Sequence, residues 1–264
     1  MPELPEVETW RRLAHASGVG RRIIAVHCAD DRIVMDQTNP SALKALLQGR
    51  AIVDTGRKGK HMWLALDPPG FLYIHFGMSG SLRHGPATEE LPSHWKLCLD
   101  LDNGQRLGVS NPRRIGKIRW FEDIVPSAPL RSLGPDPLQE GLNLETVLAE
   151  LSRRKSAIKT VLLDQRVFAG VGNWIADEVL FQARINPHTP ANTLNRGRVE
   201  TLCRCLKRIL RRAVELGADD SLFPKSWMFH TRWGKQAATT LEGETICFEE
   251  IGGRTCAWVP GRQV

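Results

Sequence analysis

Apolar and polar positions change their period part-way along this chain. Up to about residue 121 the apolar residues fall in short runs or alternate with polar ones, the signature of β-strands, and predict strands over 22–26, 51–53, 62–66, 71–76, 96–101 and 117–121. Asp102-Asn103-Gly104 predicts a hairpin turn between strands over 97–101 and 106–109. Two helices interrupt this pattern. One runs from Pro5 to about Gly18, with proline in its first turn and Glu6 and Glu8 at its positive end; a shorter one covers 41–47 and stops at Gly49. Prolines 126, 129, 135 and 137 then mark a boundary, and the period lengthens to that of helices. Leu144, Val147, Leu148 and Leu151 line one face of a helix that Asn143 caps. Further helices are predicted over 157–163, from a cap at Asn173 through Phe181, and over 198–216. Past Asp219 short strand-like pieces return at 227–230, 245–248 and 256–259. The expected fold is α+β: an N-terminal β-sandwich with flanking helices over 1–125, a linker over 126–142, a helical domain over 143–222 and a β-hairpin over 223–264. No internal repeat or low-complexity run breaks this order.

Charge sharpens the division. Residues 1–150 carry 18 Lys/Arg and 18 Asp/Glu, whereas residues 151–264 carry 18 and 11, so the whole net charge of +7 sits in the second half. A basic half joined to a neutral one points to a polyanionic partner. No apolar run approaches the ~20 residues that span a bilayer, and the charged, proline-rich start does not match a secretory signal. The six cysteines, at 28, 98, 203, 205, 247 and 256, lack the spacing of a disulfide framework, which fits an intracellular setting.

The candidate chemistry begins at the terminus, Met-Pro-Glu-Leu-Pro-Glu-Val-Glu-Thr. On its own a proline here only stiffens the entry to a helix. If Met1 is trimmed, however, Pro2 becomes a secondary α-amine with an ordinary pKa of roughly 7.7–8, able to attack a sugar C1′ or an aldehyde near neutral pH. Glu3 stands beside it as a candidate acid. Downstream come His75-Phe76-Gly77-Met78-Ser79-Gly80-Ser81-Leu82, Asn111-Pro112-Arg113-Arg114-Ile115-Gly116, Leu133-Gly134-Pro135-Asp136-Pro137-Leu138 and Gly170-Val171-Gly172-Asn173. With the MPELPEVET start, this ordered set resembles the formamidopyrimidine-DNA glycosylases, base-excision repair enzymes that remove oxidised purines. Leu4 stands where the related endonuclease VIII branch has glycine.

The resemblance implies a helix–two-turn–helix domain, a C-terminal finger, a double-stranded DNA partner carrying oxidised bases or abasic sites, no cofactor, and a monomer associated with DNA inside the cell. It implies that Pro2 displaces the damaged base and forms a Schiff base, that Glu3 protonates the opening sugar, and that β- then δ-elimination cuts the strand. Lys60, with Lys58 as the alternative, matches a lysine that assists elimination. Met78, Arg113 and Ile115 match a trio that fills the gap left by the extruded base. His94, Arg154, Lys155, Lys159 and Asn173 match DNA-contacting positions. Arg254, in Gly252-Gly253-Arg254-Thr255, matches the arginine at the finger tip.

Three departures modify the expectation. The family's CxxC…CxxC zinc finger is missing, since only Cys247 and Cys256 lie in the last segment, so the chain resembles the zincless-finger subgroup with no metal. Apolar packing by Trp227, Phe229, Phe248, Trp258 and Val259 is then expected to hold the hairpin. Ile115 replaces the usual phenylalanine, and the stretch 217–227, which in many relatives folds over 8-oxoguanine, is short. Two alternatives stay open: an endonuclease VIII-like preference for oxidised pyrimidines, and a non-catalytic binder of damaged DNA.

Overall fold

The computed structural model describes residues 2–36, 38–234 and 238–264; Met1, on whose removal the expected nucleophile depends, lies outside them. The described residues form two compact units, one of Pro2 with Glu6–Ser132 and one of Glu3–Pro5 with Leu133–Val264.

In the first unit the elements are, in order, α1 (Leu4–Gly18), β1 (Ile23–Cys28), α2 (Arg32–Met35), α3 (Pro40–Leu47), β2 (Ala51–Lys58), β3 (His61–Asp67), β4 (Gly70–His75), β5 (Ser81–Pro86), β6 (Trp95–Leu101), β7 (Gln105–Ser110), β8 (Lys117–Phe121) and α4 (Ala128–Arg131). Two four-stranded antiparallel sheets result, with strand orders β1-β6-β7-β5 and β2-β3-β4-β8. Alternation explains their shared core. Met62, Leu64 and Leu66 on β3 turn inward, and one apolar cluster gathers them with Leu97, Leu99, Leu107 and Val109 of the other sheet. Helix α1 adds Val7, Trp10 and Ala14, with the Trp10 ring 4.4 Å from that of Phe76. The predicted hairpin joins β6 to β7, with Gly104 at φ 76° and Asn103 Oδ1 accepting from Gln105 N at 3.2 Å.

Strand β2 runs well past the predicted 51–53. Its second half, Asp54-Thr55-Gly56-Arg57-Lys58, is too polar to read as a strand, yet it pairs with β3 as far as Lys58↔His61. Strand β5 was hidden in the same way by Arg83 and His84, and pairs along β7.

The second unit contains α5 (Leu144–Ser152), α6 (Ile158–Leu163), α7 (Asn173–Ala183), α8 (Arg196–Glu215), β9 (Ala238–Thr239), β10 (Thr245–Ile251) and β11 (Arg254–Trp258). Asn143 caps α5 as expected, accepting from Thr146 N at 3.1 Å. Helix α7 is buried from Trp174 to Phe181 and forms the centre of the helical core. Helix α8 packs against it through Val199, Leu202, Leu206, Ile209 and Ala213, and turns its arginines outward.

Two expectations are corrected here. The segment over 227–230 is not a strand but a 3₁₀ turn, Met228–His230. Its backbone is satisfied from elsewhere, since Phe229 N donates to Glu178 Oε2 at 3.0 Å. Trp227 and Phe229 then serve the helical core, with ring centroids 6.4 and 5.2 Å from Trp174, rather than the hairpin. The hairpin packs instead through Ile246, Ala257 and Val259 against Phe181 and Met228, with Phe248 half-buried beside them.

Candidate functional site

In the first unit the Gly59-Lys60 turn joins β2 to β3, with Gly59 in the left-handed region at φ 57°. Arg57 anchors this turn. Its fully buried guanidinium donates to Gly59 O at 2.9 Å and to Glu8 Oε2 at 3.0 Å. Glu8 also receives Arg11 and Arg12, at 3.0 and 2.8 Å. Burial alone would raise the Glu8 carboxyl, but hydrogen bonds from the three arginines outweigh it and bring it down to about 2. The turn bearing Lys60 is thus pinned to α1. His61, next in sequence, has Nδ1 2.6 Å from Tyr73 Oη, and its ring lies 4.8 Å from that of His75. Burial, aided by neighbouring positive charge, lowers the imidazoles to about 3 and about 4, so both are neutral at pH 7.

This anchor carries a sign. A carboxyl held below its unfolded value of about 4.3 contributes stability that is present above that value and lost as pH falls through about 2. Glu8→Gln is therefore expected to cost about 3 kcal/mol at pH 7, leaving Arg57 buried without its carboxylate. Urea melts of both proteins should show the gap closing between pH 4.5 and 2. A gap that stays constant over this range would place the cost in packing rather than charge.

A second cluster surrounds Asn111, which is 1% exposed. Asn111 Nδ2 donates to Phe76 O at 2.8 Å, while Oδ1 accepts from Ile115 N at 3.0 Å and Gly116 N at 3.2 Å. One amide thereby ties the end of β4 to the loop before β8. Gly77 and Gly116 make room: a Cβ at Gly77 would lie 2.7 Å from the Ile115 carbonyl, and one at Gly116 2.3 Å from Asn111 Nδ2. Arg113 N donates to Ser79 Oγ at 3.2 Å, and Asn111 N to His94 O at 3.0 Å. Arg114 is turned back onto Asp31, at 2.8 Å, which Lys96 also meets. The result is a rigid rim from which Arg113, Ile115 and His94 project into solvent and on which Met78 is half-buried.

In the second unit Glu3 is 1% exposed, and its carboxylate caps α7 from 171 residues away: Oε1 accepts from Trp174 N at 2.9 Å and Oε2 from Ile175 N at 3.3 Å. Asn173 is therefore not the cap that the sequence predicts. The N-cap position is Gly172, which has no side chain to offer, and a Cβ there would lie 2.2 Å from Glu3 Cδ. Leu4 N donates to Gly170 O at 3.1 Å, and Leu4 itself sinks into the helical core.

Polar groups also bind the hairpin to α7. Asn173 Nδ2 donates to Thr255 O at 2.8 Å. Asp177, fully buried, pairs with Lys159 and Arg232 and accepts from Ala257 N at 3.3 Å. The turn between β10 and β11 is Gly252-Gly253, with φ of 60° and 74°, the two left-handed residues of a tight hairpin. A Cβ at Gly252 would meet Thr160 Oγ1 at 2.5 Å, so the tip lies directly on α6 and exposes Arg254. Among the described residues no group of three or more His, Cys, Asp or Glu side chains could hold a metal ion.

Residues 1–118 match the model of the formamidopyrimidine-DNA glycosylase N-terminal domain, and residues 133–224 that of the formamidopyrimidine-DNA glycosylase H2TH domain. The formamidopyrimidine-DNA glycosylase of Arabidopsis thaliana is 40% identical over all of this chain and 71% of its own length. This chain belongs to the formamidopyrimidine-DNA glycosylase family. The enzyme of that name from Janthinobacterium is also 40% identical, over 82% of this chain and 80% of the relative. Among solved structures, the Lactococcus lactis glycosylase bound to DNA with an AP site superposes with a TM-score of 0.88 at 27% identity, covering 99% of each chain. MutM in complex with DNA containing carbocyclic 8-oxo-G gives 0.88 at 28%, covering 100% of each.

Within this glycosylase fold the expected site residues divide. Met78, His94, Arg113 and Ile115 share the Asn111 rim, and Lys60 stands on the Arg57-anchored turn. In the second unit Glu3 and Asn173 meet at the start of α7, while Lys155 and Arg254 are exposed. Lys159 departs from its expected role. It is fully buried, and its ammonium donates to Asn173 O at 3.1 Å as well as to Asp177, so in this structure its charge is engaged inside the protein. Arg154 is already engaged by Asp164 at 3.0 Å and Glu150 at 3.4 Å. The sequence did not reveal Asn111, Arg57, Asp177 or Arg232 as parts of this architecture. The apolar surroundings of Asp177 in the α7 pattern were the one available signal, because a buried carboxylate needs partners.

Proposed function

We propose that this protein is a bifunctional DNA glycosylase and AP lyase that excises oxidised purines from double-stranded DNA, with Pro2 as nucleophile. The observation that carries the reading is Glu3, one peptide bond from Pro2 and fixed through both carboxylate oxygens at the start of α7. A carboxylate so held is preorganised for proton transfer. Pro2 nitrogen attacks C1′ and the damaged base leaves with the C1′–N bond electrons. Glu3 takes up the proton shed by the amine and returns it to the sugar ring oxygen as the ring opens to the iminium. Loss of a C2′ proton then expels the 3′ phosphate, and a second elimination expels the 5′ phosphate. Lys60 supplies a cation near the departing phosphate, and Met78, Arg113 and Ile115 fill the vacated stack. Exposed Lys155 and Arg254 add phosphate contacts, so binding weakens steeply with salt. With a DNA substrate the protein is DNA-associated inside the cell.

The reading requires a free Pro2 amine, hence loss of Met1. Borohydride is expected to trap wild-type protein on lesion-bearing duplexes, with intact mass showing Met1 absent and Pro2→Gly trapping sharply reduced. Active protein that retains Met1 would overturn the nucleophile assignment. Ile115 is 43% exposed and aliphatic, so it compensates less for unstacking than an aromatic ring does. With the short stretch over 217–227, this favours lesions that are already poorly stacked. In single-turnover assays formamidopyrimidine, hydantoin and abasic substrates should be processed faster than 8-oxoguanine opposite cytosine.

We further infer that the finger works without zinc. Its tip is set by the Gly252-Gly253 turn on α6 and by the Asn173 and Asp177 hydrogen bonds. Arg254→Ala should weaken lesion binding by about tenfold, the loss of one charge-assisted hydrogen bond, whereas prolonged EDTA treatment changes nothing. One zinc per chain in metal analysis would contradict the second expectation.

A further inference from the structure

The charge that makes the second half basic is not all spent on DNA. Helix α8 turns its polar face away from the core, and a groove of about 1020 Å³ lies along that face, closed on its other sides by the C-terminal end of α7, the 137–142 segment and the Pro224–Trp227 segment. Its floor is apolar, built from Leu142, Phe181 and Trp227. Its rim carries Arg204, Lys207, Arg208 and Arg211, all exposed, and none of the four forms an ion pair among the described residues. By contrast Arg212 is held by Glu215 at 3.4 Å, and Arg262, whose guanidinium stacks 4.4 Å over the Phe181 ring, is held by Glu242 at 2.9 Å. Among the described residues the other four cations are left without a carboxylate partner. Asn173 opens α7 and Phe181 lies near its end, about 12 Å further along the helix axis, so the groove sits at the end of α7 opposite the candidate site.

We propose that this groove is a docking site for an acidic, extended or helical segment of a partner protein that carries large apolar side chains between its carboxylates. Arg204 and Arg211 are two helical turns, about 10 Å, apart, a span that several carboxylates of a short peptide can cover. The apolar floor decides between ligands. Duplex DNA is about twice as wide as this span and offers phosphates but no apolar side chain to fill the floor, whereas an acidic peptide with leucine or aromatic anchors satisfies rim and floor together.

The test uses the full-length protein and a fluorescein-labelled 12-residue synthetic peptide of alternating glutamate and leucine, followed by anisotropy. Wild-type protein is expected to bind it with a Kd on the order of 10 µM, weakening as salt rises. The charge reversal R204E/R208E/R211E should weaken it at least ~10-fold, close to one decade per 1.4 kcal/mol, while cleavage of abasic-site duplex keeps its wild-type rate. Peptides with glutamine for glutamate, or serine for leucine, should each lose at least as much, and they carry the test without altering the protein. Equal binding of the leucine-free peptide, or displacement of the labelled peptide by a single-stranded oligonucleotide at equal concentration, would make the groove a general polyanion surface and overturn the proposal. So would unchanged affinity in the reversed variant.

Discussion

Glu3→Gln is expected to leave a protein that binds abasic-site DNA normally and excises almost nothing. Glutamine keeps the shape of the side chain, and its carbonyl oxygen can still accept one of the two backbone hydrogen bonds that Glu3 accepts from Trp174 N and Ile175 N. What it loses, under the proposed mechanism, is the carboxylate that takes the amine's proton and passes it to the sugar ring oxygen. Removing a positioned acid–base group costs about 10²–10⁴ in rate. Single-turnover excision should fall by that factor, while the Kd for a tetrahydrofuran-containing duplex stays within about a factor of three, under 1 kcal/mol. Excision at the wild-type rate would move proton transfer to another group.

Gly172→Ala should come close to the same loss from a position with no chemistry of its own. The backbone of Gly172 has φ −126°, open to any residue, so the substitution adds no backbone strain. The added methyl, however, would lie 2.2 Å from Glu3 Cδ. The carboxylate must move and give up its hold on the start of α7. Displacing a reacting group by even an ångström costs about 100-fold in rate, and losing the cap costs about 1 kcal/mol of stability. Both effects run through Glu3, so they should not add. In the Glu3→Gln background, Gly172→Ala should lower the rate by no more than a small further factor. Full additivity of the two losses in single-turnover kinetics would show that Gly172 acts by some other route.

Much of this architecture could be read from local pattern, because local pattern has local causes. The inward Met62, Leu64 and Leu66 specify β3, and the Asn103-Gly104 pair turns β6 into β7. Asn143 caps α5 only three residues from the amide it serves. The glycines at 77, 170, 172, 252 and 253 fell within motifs, and the structure supplies a steric or conformational reason for each. The contacts that assemble the candidate site have no such local trace. Asn111 reaches Phe76 across 35 residues, Arg57 reaches Glu8 across 49, Ala257 reaches Asp177 across 80 and Trp174 reaches Glu3 across 171. Nothing within a turn of any of these residues marks its partner. The same blindness explains Lys159: as a lysine in a basic run it looked like a surface cation, and only the fold reveals the carboxylate buried beside it. The segment at 227–230 misled for the opposite reason. Its alternation imitates a strand, although Trp227 and Phe229 enter the helical core and Met228 enters the hairpin's core, so no residue between them faces solvent.

The Lys159–Asp177–Arg232 group also constrains how this sequence can change. All three side chains are almost wholly withdrawn from water. Removing any one leaves an uncompensated buried charge, which costs about 3–5 kcal/mol, whereas exchanging all three for apolar residues of similar volume can be neutral or better. The two end states are thus joined only by intermediates deep in deficit, on the scale of the whole stability of a domain. Stepwise substitution from one to the other must pass through such weakened intermediates. A lineage that carries this arrangement keeps it by kinetic confinement in sequence space, whether or not it is the most stable way to seat Ala257 and the strand that follows Arg254.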